Sequence, residues 1–317
     1  MLMTAIQLDR FGGPENLHLT QVDRPAPAAG EVEIRVIAAG VNPVDYKMRE
    51  GSAPQFLDEA DLPAILGRDV AGEISAMGSG VDSWAVGQAV FAMTSDHDGG
   101  YGEYVTVQAD KVVAIPDSLD FITAGGVPLA SLTAWQGLFR YGQLARGQRV
   151  LIHAAAGGVG HFAVQFAKVT GAYIYATASE KDLDFVRSLG ADVAIDYKNE
   201  RFEDVAKDLD LVFDTIGADT RERSWDLVKP GGRLITTLDE PDQQKAKAHN
   251  ISAARFTAQS DGADLAQIAA LIKDGKVKPH LFKTYALDQA ADAQKQLKDG
   301  GVAGKIVLTV ADKSSAH

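Results

Sequence analysis

Val150-Leu-Ile-His-Ala-Ala-Ala-Gly157-Gly158-Val159-Gly160-His-Phe-Ala-Val-Gln-Phe-Ala-Lys168 runs from an apolar strand through a glycine cluster into a helix. That order is what a dinucleotide site demands. The backbone must approach a pyrophosphate closely, and a helix N-terminus supplies the positive end of a dipole. The G-x-G-x-x-G pattern falls on Ala155-Ala156-Gly157-Gly158-Val159-Gly160, with alanine in the first glycine's place. Gly157 would allow the close approach and Gly160 the tight packing of helix on strand. Ala156, Gly157, Gly158, Val159 and Gly160 are therefore the candidate phosphate-contacting residues. A plain structural turn is the alternative, but the required strand before and helix after are both present.

The choice between NAD and NADP is made about 20 residues on, near the end of the next strand. There the chain reads Thr177-Ala178-Ser179-Glu180-Lys181. Ser179 and Lys181 suit a 2′-phosphate, a hydroxyl donor beside a cation, and favour NADPH. Glu180 could serve instead as the carboxylate of an NAD site. Ser179 could also cap a helix, with Asp182 closing a loose capping box.

Outward from this motif, apolar runs alternate with amphipathic stretches: Val150–Ala154, Tyr173–Ala178, Val193–Tyr197, Leu209–Ile216, Arg233–Leu238 and Ile251–Ala258. This is the rhythm of a doubly wound parallel sheet covered on both faces, so the fold class is α/β. The first third differs. Glu31–Ala38 alternates apolar and polar residues, Asp110–Pro116 reads as a short strand, and turn signals such as Gly78-Ser79-Gly80 separate such segments. After a helix at Ala263–Lys273 come a strand near Leu281–Tyr285, a helix near Asp288–Lys298 and a strand Lys305–Val310. The tail Ala311–His317 is expected to fray. Two domains are expected from 317 residues. Residues 1–119 and 266–317 would form the β-rich catalytic domain, with a dinucleotide-binding domain, 120–265, inserted between them.

Composition removes several function classes. Lys plus Arg is 31 and Asp plus Glu 43, giving a formal net charge of −12, which argues against a nucleic-acid or anionic-membrane partner. There is no cysteine, so disulfides, thiolate nucleophiles, iron–sulfur clusters and sulfur-ligated zinc are excluded. Asp96-His97-Asp98 is the one cluster with the look of a ligand group, and beside Gly99-Gly100 it reads as a solvated loop. Met1–Ile6 lacks a basic start followed by an apolar run, so no signal peptide is expected. The Val150–Phe166 stretch is too broken by histidine and glycine to span a bilayer. The cytoplasm is the expected location.

The chain resembles the zinc-free quinone oxidoreductase branch, the zeta-crystallin-like enzymes, of the medium-chain dehydrogenase/reductase superfamily. The resemblance rests on an ordered set of motifs. These are Phe11-Gly-Gly-Pro-Glu-Asn-Leu17, Ala39-Gly-Val-Asn-Pro-Val-Asp-Tyr-Lys47 with Arg49 and Gly51, Gly67-Arg-Asp-Val-Ala-Gly72 and Gly100-Tyr-Gly-Glu-Tyr104. Ala130-Ser-Leu-Thr-Ala-Trp135, the Ala155–Gly160 turn, Lys229-Pro-Gly-Gly232 and Gly304-Lys-Ile-Val307 complete it. It implies a GroES-like catalytic domain beside the Rossmann domain, and no metal. Zinc-dependent relatives place a cysteine and a histidine ligand where this chain has Asn42 and Arg68.

The resemblance further implies an NADPH-dependent reductase acting on a small-molecule quinone, in a homodimer. An enone or 2-alkenal double-bond reductase is the nearest alternative. A protein of another class, a dinucleotide-binding redox sensor or structural protein with little turnover, is the more distant one. By family position Asn42, Tyr46 and Lys47 are the candidate catalytic residues, with Asp45 nearby. Asn42 and Thr133 would also lie at the nicotinamide, Thr133 holding its carboxamide, and Tyr197 would pack near the adenosine phosphate. Each has a simpler reading: Asn42-Pro43 as a turn opener, Tyr46 as an aromatic wall, Thr133 as a helix cap, Tyr197 as a surface tyrosine at a strand end.

Overall fold

The computed structural model describes residues 1–96 and 98–311. His97 and most of the tail expected to fray lie outside them. The chain divides into two compact units. The first comprises Met1–Ala130, Ser260–Gly275 and Pro279–His317 (described to Ala311); the second comprises Ser131–Gln259 and Lys276–Lys278.

The first unit is built on strands β1 (Leu2–Leu8), β2 (Leu17–Asp23), β3 (Glu31–Val41), β4 (Ala64–Ile65), β5 (Asp69–Met77), β6 (Ala89–Met93), β7 (Tyr104–Gln108) and β8 (Val113–Ala114). A three-stranded antiparallel sheet has the order β2-β1-β4. A seven-stranded sheet is completed by β15 (Leu281–Ala286) and β16 (Lys305–Thr309), in the order β15-β16-β3-β5-β6-β8 with β7 also pairing β3. Strand β3 is central. It is flanked by β5, β7 and β16, so its EVEIRVIAAGV sequence is buried along nearly its whole length rather than on alternate residues. The expected strand Asp110–Pro116 is reduced to Val113–Ala114, because a 3₁₀ turn at Ala109–Lys111 takes its first residues.

The second unit holds β9 (Arg149–Ile152), β10 (Tyr173–Ala178), β11 (Val193–Asp196), β12 (Leu209–Asp214), β13 (Val228–Thr236) and β14 (Ser252–Arg255). All six are parallel, in the order β11-β10-β9-β12-β13-β14. Read in chain order this is 3-2-1-4-5-6, the doubly wound arrangement whose winding reverses beside the first strand. Leu151, Ile195, Val212 and Leu234 line its core with Phe202 and Trp225. Strand β13 starts five residues earlier than its apolar run suggests, at Val228 rather than Arg233. It carries Pro230-Gly231-Gly232 at a register irregularity opposite β12, with Gly231 at φ +82°.

Candidate active site

In the second unit the chain leaves β9 through Ala154, whose φ of +51° is rare for a residue with a Cβ, and reaches the helix Gly160–Thr170. The two glycines differ in what they permit. A Cβ on Gly160 would stand 2.2 Å from the Ala154 carbonyl oxygen and 2.6 Å from Ala155 Cα, so this glycine is required for packing. A Cβ on Gly157 would meet only that same oxygen at 3.3 Å, which leaves open space over the turn. At the start of this 11-residue helix the His161 and Ala163 N–H groups already donate to the Gly157 and Val159 carbonyls, each at 3.0 Å. It is therefore the positive end of the helix dipole above Gly157 that suits a dinucleotide phosphate.

The ends of β10 and β11 lie side by side, with Ala178 opposite Asp196, and bring Ser179 and Tyr197 together. The Tyr197 N–H donates to the Ala178 carbonyl at 3.2 Å, and its ring is half-exposed with Lys198 Nζ 5.9 Å from the centroid. Ser179 precedes a 3₁₀ turn, Glu180–Asp182, but its hydroxyl caps no backbone group. It donates to Asp182 Oδ2 at 2.5 Å. Glu180 and Lys181 are exposed.

One buried group behind the turn was not singled out by its sequence. His153 closes β9, with Nδ1 3.2 Å from Thr177 Oγ1 and Nε2 3.0 Å from Ser224 Oγ. Ser224 spends its own hydrogen on the Thr220 carbonyl at 2.7 Å, so it accepts from His153 Nε2–H. Thr177 Oγ1 accepts the Ala154 N–H at 3.3 Å and donates to Nδ1. The neutral ring thus tethers the left-handed residue that opens the turn. Burial lowers its pKa to about 4, partly opposed by Asp214.

In the first unit Asn42 is the N-cap of the helix Pro43–Arg49, with proline in the first turn. Its carboxamide makes no capping bond: the Asp45 N–H donates to the Asn42 backbone carbonyl at 3.0 Å, and the Asp45 side chain reaches back to accept the Asn42 N–H on Oδ2 at 2.7 Å. That frees the carboxamide for a buried cluster. Asn42 Nδ2 donates to Asp69 Oδ2 at 2.8 Å, and Asn42 Oδ1 accepts from Lys305 Nζ. Lys305 Nζ also donates to Asp69 Oδ2 at 3.2 Å and to the Val41 carbonyl at 3.3 Å. Asp69 Oδ1 accepts the Leu129 N–H at 2.5 Å, in the helix Pro128–Trp135. The sheet register explains the meeting: Gly40 pairs with Asp69 on one side and Val307 on the other, and Val41 pairs with Ile306. A Cβ on Gly40 would lie 2.6 Å from Asp69 Oδ2, so glycine makes room for the carboxylate.

The remaining candidates are placed as follows. Tyr46 and Lys47 follow on the same helix, both partly exposed. Burial raises the Tyr46 phenol above its ordinary value, and nearby Glu50 adds to the rise. Asp45 is fully buried; Tyr101 donates to its Oδ2 at 2.7 Å, and desolvation lifts the carboxyl to about 7. Thr133 is buried inside the helix Pro128–Trp135 and is not its cap.

Arg68, where the resemblance expects metal-dependent relatives to carry a histidine ligand, is buried and ion-paired to Asp96. Its Nη2 is 3.4 Å from the Thr94 carbonyl, and its guanidinium lies 5.7 Å from the Phe56 ring centroid. Asp98 is tied to Ser95, while His97 of the same loop is outside the described residues. Among the described residues no group of three or more His, Cys, Asp or Glu side chains could hold a metal ion. Among them, too, no helix is long and apolar enough to cross a membrane.

Asp69, Lys305 and Tyr101 stand in motifs that carry the family resemblance, yet sequence reasoning assigned them no role. A signal existed. Lys305 opens an otherwise apolar strand, KIVLT, and Asp69 opens DVAGEIS, and opposite charges buried in strands need each other.

A family model described as a zinc-binding dehydrogenase matches residues 189–308, and one described as an alcohol dehydrogenase GroES-like domain matches residues 28–117. An NADPH-dependent alkenal/one oxidoreductase (chloroplastic) of Arabidopsis thaliana is 35% identical over 310 residues, covering 94% of this chain and 77% of that one. A chloroplast envelope quinone oxidoreductase homolog of the same plant is 31% identical over 324 residues, covering 97% and 98%. Among solved structures, the quinone oxidoreductase from Coxiella burnetii superposes with a TM-score of 0.91 at 34% identity, covering 98% of this chain and 100% of that one.

Proposed function

Because the chain belongs to the zinc-free quinone oxidoreductase branch of the medium-chain dehydrogenase/reductase superfamily, we propose that it is an NADPH-dependent reductase that passes hydride to a quinone. The observation that carries this reading is the donor set at the two positions where zinc-dependent relatives bind metal. Asn42 there is clasped by an ammonium and a carboxylate, and Arg68 is a guanidinium paired to Asp96. A neutral carboxamide already clasped on both sides and a guanidinium already paired offer neither the thiolate nor the imidazole that a catalytic zinc needs. An acceptor reduced without a Lewis acid must be electrophilic already. A quinone is, because the anion left by hydride addition is delocalised.

When bound, the dihydronicotinamide supplies the hydride. Ala156, Gly157, Gly158, Val159 and Gly160 would hold the pyrophosphate, and Ser179, Lys181 and Tyr197 the adenosine phosphate. Thr133 would fix the nicotinamide carboxamide. Asn42 would donate an N–H to the developing oxyanion, and Tyr46 its phenol hydrogen, with Lys47 as a neighbouring cation. The high phenol pKa keeps Tyr46 a donor at neutral pH. A homodimer is proposed on the family resemblance.

A second reading, an enone or 2-alkenal double-bond reductase, is favoured by the 35% identical alkenal/one oxidoreductase. It uses the same cofactor and the same donors. Stopped-flow NADPH oxidation against 1,4-quinones, enones, alkenals and simple ketones, with NADH in parallel, tests both. Quinones are expected to react fastest. Faster enones or alkenals would install the second reading; fast simple ketones or an NADH preference would overturn both. NADPH binding with no acceptor reduced would point to a redox sensor.

A further inference from the structure

We propose that Lys305 and Asp69 are positioning residues that hold the Asn42 carboxamide in a single sense, leaving one defined N–H to the reaction. The orientation of an asparagine amide is normally ambiguous, because oxygen and nitrogen are nearly equivalent in shape. Here chemistry removes the ambiguity. A lysine ammonium can only donate and a carboxylate can only accept, so the atom facing Lys305 must be Oδ1 and the atom facing Asp69 must be Nδ2.

The clasp is saturated on both charged sides. Lys305 has three hydrogens and three acceptors: Asn42 Oδ1, Asp69 Oδ2 and the Val41 carbonyl. It therefore has no spare proton to give an acceptor, which makes it a positioning group and not an acid. Asp69 takes the Leu129 N–H on one oxygen and shares the other between Asn42 and Lys305. Both are nearly or fully excluded from solvent. A buried pair of this kind adds little net stability over apolar side chains of the same size, so its presence calls for a role in specifying geometry. Of the groups that meet here, Asn42 alone keeps a hydrogen without a partner among the described residues, its second Nδ2–H. Asp45 supports the arrangement from the backbone side: its Oδ2 accepts the Asn42 N–H and its own N–H donates to the Asn42 carbonyl, so the carboxamide carries no capping bond.

The chemical consequence rests on the reading of Asn42 as an acceptor-contacting residue. A donor locked by two charged neighbours needs no reorganisation when negative charge develops on the acceptor. The test therefore has two arms, one independent of turnover.

The chain has four asparagines, Asn16, Asn42, Asn199 and Asn250, so selective ¹⁵N-asparagine labelling of the full chain gives four side-chain amide pairs. Asn42→Ala identifies the Asn42 pair. Its hydrogen exchange should be about tenfold slower than that of the exposed pairs, and Lys305→Met should abolish the difference. An Asn42 pair that exchanges freely in the wild type, or is unaffected by Lys305→Met, would overturn the clasp.

The second arm compares Asn42→Ala, Lys305→Met and the double variant with a 1,4-quinone. Lys305→Met should lower kcat about tenfold while the NADPH Kd changes less than about threefold, and in the Asn42→Ala background it should add no more than about twofold. Independent, multiplying losses would show that Lys305 acts otherwise than through Asn42 and overturn the proposal. Should Lys305→Met fail to fold with Asp69 left unpaired, Lys305→Met/Asp69→Asn removes both charges and is read by the same two arms. If the wild-type chain reduces no member of the acceptor panel, the proposed function fails while the exchange arm still decides the clasp.

Discussion

Tyr101 donates its phenol hydrogen to Asp45 Oδ2 across 2.7 Å, and both side chains are fully buried. The same oxygen also takes the Asn42 N–H, while Asp45 Oδ1 has no hydrogen-bond partner among the described residues. A desolvated oxygen without a donor is where a proton resides at least cost, and burial accordingly lifts this carboxyl to about 7.

The stability of the first unit should therefore depend on pH through Asp45. The folded pKa is raised, so the folded chain keeps a proton that the unfolded chain releases above about pH 4. The contribution is full below that pH and is lost as pH rises through about 7. In urea melts followed by the near-UV signal, wild type should lose stability relative to Asp45→Asn between about pH 5 and about pH 8, on the order of 3 kcal/mol. A pH-independent difference between the two would sink this assignment.

His153 should give a slope of the opposite sign in the second unit. Its folded pKa is lowered to about 4 from 6.5, so below about pH 6.5 the unfolded chain binds the extra proton. Stability from this group is present above that pH and falls as pH drops toward about 4. Wild type should lose about 2 kcal/mol relative to His153→Leu between about pH 7 and about pH 5, whatever constant offset the substitution adds. The measurement is a paired urea titration at the two pH values, and an unchanged gap would contradict it.

Gly157 and Gly160 should separate binding from folding. Gly160→Ala places a Cβ against two backbone positions that cannot give way, and should cost about 2–4 kcal/mol in thermal unfolding. Gly157→Ala meets one carbonyl oxygen at 3.3 Å and should cost under about 1 kcal/mol, yet weaken NADPH binding about tenfold by occupying the space above the turn. Equal stability losses, or unweakened NADPH binding in Gly157→Ala, would argue that the turn holds no phosphate.

Asp182 should oppose the 2′-phosphate. Its carboxylate already takes the Ser179 hydroxyl, so a phosphate placed there competes for that hydrogen and meets like charge. Asp182→Asn should tighten NADPH binding about threefold to tenfold and leave NADH unchanged, whereas Ser179→Asp should weaken NADPH and spare NADH. Fluorescence titration with both nucleotides reads this directly. Equal effects on the two would place the 2′-phosphate elsewhere.

Most of the secondary structure was legible because its determinants are local. Apolar periodicity places the Tyr173–Ala178 strand at its observed bounds, and the helix expected over Ala263–Lys273 begins one residue earlier, at Gly262, where the Asp261 carboxylate caps it. Misreadings fell where local signals compete. In Asp110–Pro116 a 3₁₀ turn prevailed over apolar alternation, and in β13 a proline-glycine bulge hid the strand's beginning. Ser179 and Asp182, which the sequence pairs as a loose capping box, do meet, but through the Ser179 hydroxyl donating to Asp182 Oδ2 and with no side-chain bond to a helical N–H.

The amino-acid sequence by itself determined the family, the parallel sheet and the glycine turn, because strand periodicity, turn chemistry and ordered motifs are properties of neighbouring residues. It also pointed to Asn42 and Arg68 in place of metal ligands. The tertiary structure alone decided what those residues touch. Asn42, Asp69 and Lys305 are separated by 27 and 236 positions and meet through the pairing of β3 with β5 and β16. No local pattern encodes such a meeting. It follows from strand register and from the cost of burying a charge unpaired, and both are settled only when the sheet closes.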